Sequence, residues 1–183
     1  NPYSASKAAQ ESIAISYWRT YGIPLIITNT MNLIGEFQDP EKYTAQLVRK
    51  ISQDEVVTVH GSELYVGKRH YLHARNMSDA LLYIVNNVTP IMFDDGDHTK
   101  PEKFNIVGDI ELNNLELAQM VAELIGKPLK YELVDFHSTR PGHDRRYSLD
   151  GTKLKELGWV APFDFKTSLK KYIDWTLNNK LWL

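Results

Sequence analysis

Along this chain, segments with helical spacing of apolar residues alternate with short continuous apolar runs. Residues 2–21 carry alanine at positions 5, 8, 9 and 14, a strong helix former, and Pro2 is acceptable in a first turn. Gly22 and Pro24 predict the end of that helix. Leu25, Ile26 and Ile27 follow as a run too apolar for a sheet edge, which predicts a short buried strand. Helix, short loop and buried strand in this order suit a parallel α/β sheet. Residues 29–41, with Gly35 and Pro40, show no regular period. A helix is expected over 42–53, a β-branched strand over 56–60, a turn over 61–69 and a short strand over 71–73.

The second half alternates in the same way. A helix is expected over 77–87 with Asn76 or Ser78 as its cap, followed by a polar loop over 89–102 and a strand over 103–107. Leu115, Ala118, Val121, Ala122 and Ile125 share one face of a helix over 114–125, which Gly126 and Pro128 end. A strand over 130–134 and a short helix over 153–157, capped near Asp150 and stopped by Gly158, come next. A terminal helix over 166–178 offers Leu169, Tyr172, Ile173 and Trp175 for packing.

Composition narrows the possible functions. With 43% hydrophobic and 24% charged residues, the 183 positions describe an ordinary globular chain, one domain or part of a larger one. A net charge of −2 argues against a nucleic-acid surface, which is normally basic. The absence of cysteine removes disulfides and thiolate chemistry, and fits a cytoplasmic setting. No apolar run reaches the roughly 20 residues of a membrane span, so no membrane partner is expected. His98 and His137 lack metal-ligand spacing, and Asp94-Asp95-Gly96-Asp97 lacks the closing glutamate of a calcium loop. No metal is therefore expected. The chain opens at Asn1 rather than Met, and its first glycine is Gly22, so no glycine-rich phosphate loop is present. The expectation is a piece of a longer polypeptide that does not turn over substrate by itself.

Two clusters can carry chemistry. Tyr3 and Lys7 lie four residues apart, which puts them on one helix face a single turn from each other. An ammonium beside a phenol favours the phenolate, and such a phenol can act as a general base. A solvated amphipathic helix would also place a tyrosine and a lysine this way. The second cluster is Arg140-Pro141-Gly142-His143-Asp144-Arg145-Arg146-Tyr147, a set of cationic donors around a Pro-Gly turn. Arginine forks suit phosphate oxygens, although a solvated basic loop would have the same composition.

The run Asn1-Pro2-Tyr3-Ser4-Ala5-Ser6-Lys7-Ala8-Ala9 resembles the active-site helix of the extended short-chain dehydrogenase/reductase family, the NAD-dependent epimerases and dehydratases. The run from Arg140 to Tyr147 is similar to a signature of that family's dTDP-glucose 4,6-dehydratases. The resemblance implies that Tyr3 is the catalytic base and that Lys7 holds the nicotinamide ribose of NAD. It further implies that Arg140, His143 and Tyr147 contact the diphosphate of a nucleotide sugar. Weaker matches in consistent order extend the set: Asn32 and Lys42 to the nucleotide sugar, Arg69 to phosphate, and Asn105 to the nucleotide. The implied fold is the C-terminal part of a Rossmann-type doubly wound parallel sheet plus a small α/β substrate-binding lobe. Residues 1–35 would end the Rossmann-type domain. Residues 36–183 would form mainly the lobe, with 103–107 returning to the main sheet.

The implied activity is dehydration of dTDP-glucose to its 4-keto-6-deoxy product through transient hydride transfer to NAD, in a homodimer. Ile13, Tyr17 and Trp18 would be the exposed apolar residues of that interface or a cover for the sheet. Two alternatives stay open: a UDP-sugar epimerase or decarboxylase of the same family, and a non-catalytic nucleotide-sugar-binding module. The chain departs from the dehydratase pattern at Asn32-Leu33-Ile34, at His60 and at His70-Tyr71-Leu72-His73, around the base and sugar pockets.

Overall fold

The computed structural model of the chain describes residues 1–135 and 146–183. Its elements run in the order α1 (Pro2–Tyr21), β1 (Ile26–Thr30), β2 (Asn32–Ile34), α2 (Tyr43–Ser52), β3 (Val57–Ser62), β4 (Tyr65–Val66), β5 (Lys68–His73) and α3 (Ala74–Asn87). They continue with β6 (Glu102–Ile106), β7 (Glu111–Asn113), α4 (Asn114–Ile125), β8 (Tyr131–Val134), β9 (Arg146–Tyr147), α5 (Thr152–Glu156) and α6 (Phe165–Asn178). Among the described residues no helix is long and apolar enough to cross a membrane.

The sheets are small and mainly parallel. β1 pairs in parallel with β6, which sets Asn29 opposite Asn105. β5 is the central strand of a second sheet. Its C-terminal half runs parallel to β2, its N-terminal half antiparallel to β7, and Lys68 and Arg69 also pair with β9. β3 forms a hairpin with β4 and runs parallel to β8. The loop after β6 crosses close over β5: a Cβ on Gly108 would sit 1.9 Å from the Tyr71 carbonyl oxygen. Only glycine permits that approach.

Two apolar cores follow from this pairing. The larger joins α2, α4 and α6 through Leu47, Val48, Leu117, Val121, Leu169 and Tyr172, under β3 and β5. The smaller joins α3, β6 and α5 through Leu72, Ile84, Phe104, Ile106, Leu154 and Trp159. Helix α4 is the best-terminated element. The Asn113 side chain accepts from the amides of Leu115 and Glu116, Glu116 returns a carboxylate to the Asn113 amide, and Gly126 closes the far end at φ 77°. This is a capping box with a left-handed C-terminal glycine.

The structure differs from the sequence-based expectations at identifiable points. Residues 32–34, expected to be irregular, form β2 because β5 offers them a parallel partner. The turn expected over 61–69 contains β4 and the start of β5, and β7 was not foreseen. Helix α3 begins at Ala74, three residues early, because the buried His73 caps it: its Nδ1 accepts from the Arg75 amide at 3.1 Å. Asn76 is instead buried and donates to the Phe163 carbonyl at 2.7 Å. Trp18 is not an exposed residue. It is fully buried, donates its indole N–H to the Ile91 carbonyl at 2.7 Å, and meets the Phe93 ring edge-on at 5.4 Å.

Candidate functional site

A cleft of about 750 Å³ opens between the N-terminal end of α1, strand β2, the start of α2 and strands β3 and β5. Four residues singled out in the sequence line it: Tyr3, Asn32, Lys42 and Arg69. They come from four separate elements, so only the fold brings them together. Lys50, His60, Tyr43, Tyr71 and Asn114 also line it, as does the carboxylate-bearing Glu41.

Tyr3 stands in the first turn of α1, 70% exposed. The turn forms because the Asn1 side chain accepts from the Ser4 amide at 3.0 Å and Pro2 needs no amide partner there. One turn on, the Lys7 ammonium lies 5.8 Å from the centre of the Tyr3 ring and donates to Gln10 Oε1 at 3.3 Å. The helix is held at its other end by Trp18 and in its middle by the ion pair of Glu11 with Lys103 on β6.

The opposite wall is mainly cationic, with Lys42, Lys50 and Arg69 beside the acidic Glu41. Lys42 occupies the N-cap of α2 in extended backbone, with no side-chain cap. A cation at that end of a helix opposes the helix dipole, whereas an anion there is favoured. Lys42 in that place therefore suits a negatively charged ligand that both it and the helix attract. Arg69 enters from β5, and two residues further along the same face the Tyr71 ring reaches the cleft floor. Tyr71 is buried and its hydroxyl donates to Asn114 Oδ1 at 3.3 Å. Tyr43 donates to the Asn114 carbonyl at 3.0 Å. Burial pushes the Tyr71 phenol up to about 12, against the opposing pull of Arg69, and pushes Tyr43 up as well. Both remain neutral donors at any physiological pH.

The other expected residues are placed differently. Asn105 does not line the cleft. Its side chain is spent between strands, accepting from Asn29 Nδ2 at 3.2 Å and donating to the Asp150 carbonyl at 2.9 Å. Tyr147 pairs with Arg69 through the backbone, but its exposed side chain is outside the cleft lining. Its neighbour Arg146 is turned to Glu111, with Nε 2.6 Å and Nη2 3.0 Å from the carboxylate. Arg140 and His143 lie outside the described residues. Sequence reasoning passed over Tyr43 and Asn114, and met Tyr71 only as a departure from the dehydratase pattern. The available signal was the i, i+2 spacing of Arg69 and Tyr71 on one strand.

Comparisons with known proteins identify the chain's relatives. A probable dTDP-glucose 4,6-dehydratase of Sinorhizobium fredii is 35% identical over all of this chain and half of its own length. A dTDP-glucose 4,6-dehydratase of Escherichia coli is 33% identical with the same coverage. The chain thus spans about half the length of the curated relatives it matches. Among solved structures, dTDP-glucose 4,6-dehydratase from Bacillus anthracis in complex with NAD superposes with a TM-score of 0.80, covering the whole chain and 54% of that protein at 28% identity. A UDP-glucose 4-epimerase from Thermus thermophilus gives a TM-score of 0.82 at 22% identity, a likeness of fold alone. The fold is accordingly α/β, the C-terminal part of a Rossmann-type structure. The family model for GDP-mannose 4,6 dehydratase matches residues 1–172, and the chain belongs to that family.

Proposed function

We propose that this chain carries the catalytic tyrosine and the nucleotide-sugar cleft of an NAD-dependent nucleoside-diphosphate-hexose 4,6-dehydratase, with dTDP-glucose as the favoured substrate. One observation carries the reading: Tyr3 shares a single cleft with Lys42 and Arg69. A diphosphate needs cations and donors, and a sugar hydroxyl needs a base at the other end of the same space. Lys42 and Arg69 hold the diphosphate, Asn32 and Asn114 orient the nucleotide sugar, and Tyr3 takes the proton of the sugar hydroxyl that is oxidised. Arg140 and His143 add to the diphosphate grip in this proposal, while Tyr147 and Asn105, both outside the cleft lining, support the strand pairs that carry Arg69 and Asn29.

Tyr3 and Lys7, exposed side by side, fit the ribose hydroxyls of a nicotinamide dinucleotide. When bound, NAD supplies the hydride acceptor and donor that make the reaction redox-neutral. Lys7 holds Tyr3 and the ribose in one register, and the relatives' reaction names and NAD complex support this assignment. The exposed Ile13, Tyr17 and Tyr21 on α1 support a homodimer through that helix.

The test is turnover of dTDP-glucose by the intact protein, followed at the 4-keto product. Tyr3→Phe is expected to lower kcat by about 10²- to 10⁴-fold, the usual contribution of a positioned acid–base group. Arg69→Ala is expected to raise KM, because it removes a charge-assisted contact of about 1.5–3 kcal/mol. A preference for UDP-glucose would move the assignment to an epimerase, and loss of carbon dioxide from a UDP-uronic acid would move it to a decarboxylase. Binding without turnover by the wild type would make the protein a binding module.

A further inference from the structure

We propose that Phe37 is a positioning residue: its ring, seated against Trp175 and Trp182, fixes the segment from Gly35 to Lys42 so that Lys42 stands at the cleft for the diphosphate. The inference rests on the functional reading above and deepens it at the loop between β2 and α2.

That loop is two tight turns in succession. The Gln38 amide donates to the Gly35 carbonyl at 3.2 Å, and the Lys42 amide donates to the Asp39 carbonyl at 3.0 Å. Gln38, Glu41 and Lys42 line the cleft. Phe37 is the third residue of the first turn and has φ 65°. A positive φ at that place suits glycine or asparagine, so a phenylalanine there is strained. The ring is also 66% exposed, yet it has contacts of its own that offset the strain. Its centre lies 4.6 Å from that of Trp175 on α6, and it meets Trp182, in the turn Lys180–Trp182, edge-on at 5.5 Å. Such ring pairs attract beyond the area they cover. None of the three rings belongs to either apolar core, so the cluster ties down the loop without holding the cores.

The residue before Phe37 is tied to β5. Glu36 Oε2 lies 3.1 Å from Nε2 of the buried His73. His73 Nδ1 accepts from the Arg75 amide, so its proton sits on Nε2 and faces the Glu36 carboxylate. Glu36 thus anchors the first turn to β5 while Phe37 anchors it to α6. The second turn follows at once. It is stiffened by Pro40 and by the Glu41 amide, which donates to Asp39 Oδ1 at 2.8 Å. A shift of Phe37 is therefore passed on to Lys42 at the N-cap of α2.

The experiment is calorimetric titration of the intact protein with dTDP, with turnover of dTDP-glucose measured beside it. It compares wild type, Trp182→Ala, Lys42→Ala, the double variant of these two, and Phe37→Gly. Trp182 is outside the cleft lining, yet Trp182→Ala is expected to weaken dTDP binding about 2- to 10-fold, the size of one aromatic pair. In turnover the change falls on KM and leaves kcat, because Tyr3 stands on a separate helix. In the Lys42→Ala background Trp182→Ala is expected to cost less than about half of that loss in log Kd, because the group it positions is gone. Phe37→Gly relieves the backbone and removes the ring, and it is expected to lose at least as much affinity as Trp182→Ala. Unchanged dTDP affinity in Trp182→Ala or in Phe37→Gly overturns the proposal. So does a loss that persists by more than about half in the Lys42→Ala background, or a fall in kcat as large as that in kcat/KM. Any of these in a wild type that binds dTDP removes the positioning role alone. A wild type that does not bind dTDP removes the functional reading itself, and the positioning role with it.

Discussion

Helices α1 and α4 both reach the cleft, and they are stabilised in opposite ways. α4 is 12 residues long, buries Leu117, Ala118, Val121 and Ala122, and is capped at both ends. α1 is 20 residues long and buries only Trp18, with the remainder of its length largely open. The cleft wall that carries Asn114 is therefore built into a packed three-helix core. The helix that carries Tyr3 and Lys7 is instead fastened by one indole and the Glu11–Lys103 pair. Surface ion pairs contribute little, about 0–1 kcal/mol, so the indole dominates. The contrast teaches that the packed core fixes the cleft wall at α4, while the placement of Tyr3 depends on a small contact far from the cleft.

The largest test of that contrast is Trp18→Ala. Deleting a buried tryptophan costs about 3–5 kcal/mol. Here the loss should fall on the docking of α1, seen as faster amide exchange across residues 2–21 while α4 stays protected. Equal acceleration in both helices would show that they unfold as one unit and would end the comparison. Next in size is Leu117→Ala, fully buried in the larger core. It should lower the urea midpoint by the equivalent of about 2–5 kcal/mol and open α2, α4 and α6 together. Exchange confined to α4 alone would contradict a shared core. The smallest effect is expected for Ile13→Ala, more than half exposed on α1. It should change monomer stability by less than about 0.5 kcal/mol. If it also weakens self-association in sedimentation, the apolar face of α1 is the dimer contact; unchanged association excludes that face.

Much of the architecture was legible because helices declare themselves locally. The apolar face over 114–125 and the stops at Gly22 and Gly126 match α4 and the two helix ends. The short strands did not declare themselves. β2 and β7 hold three residues each, too few for any period, and exist through their pairing with β5. The same limit applied to the site. Tyr3, Asn32, Lys42 and Arg69 were singled out by type and order, and they do share the cleft. Asn105 was singled out on the same grounds, yet β6 turns it toward Asn29 and Asp150. Asn114, read only as the start of a helix, is the asparagine that faces the cleft.

By itself, the sequence determined what depends on neighbours a few residues away: the Tyr3–Lys7 spacing on one helix face, the capped amphipathic α4, and a composition suited to a globular α/β chain. Tertiary structure alone decided which polar side chains meet. Whether Trp18 is buried and which asparagine Tyr71 restrains depend on segments about 40 to 75 positions apart. Such contacts form only when the core brings those segments together, because hydrogen bonds and side-chain packing act over a few ångströms and have no trace in local spacing.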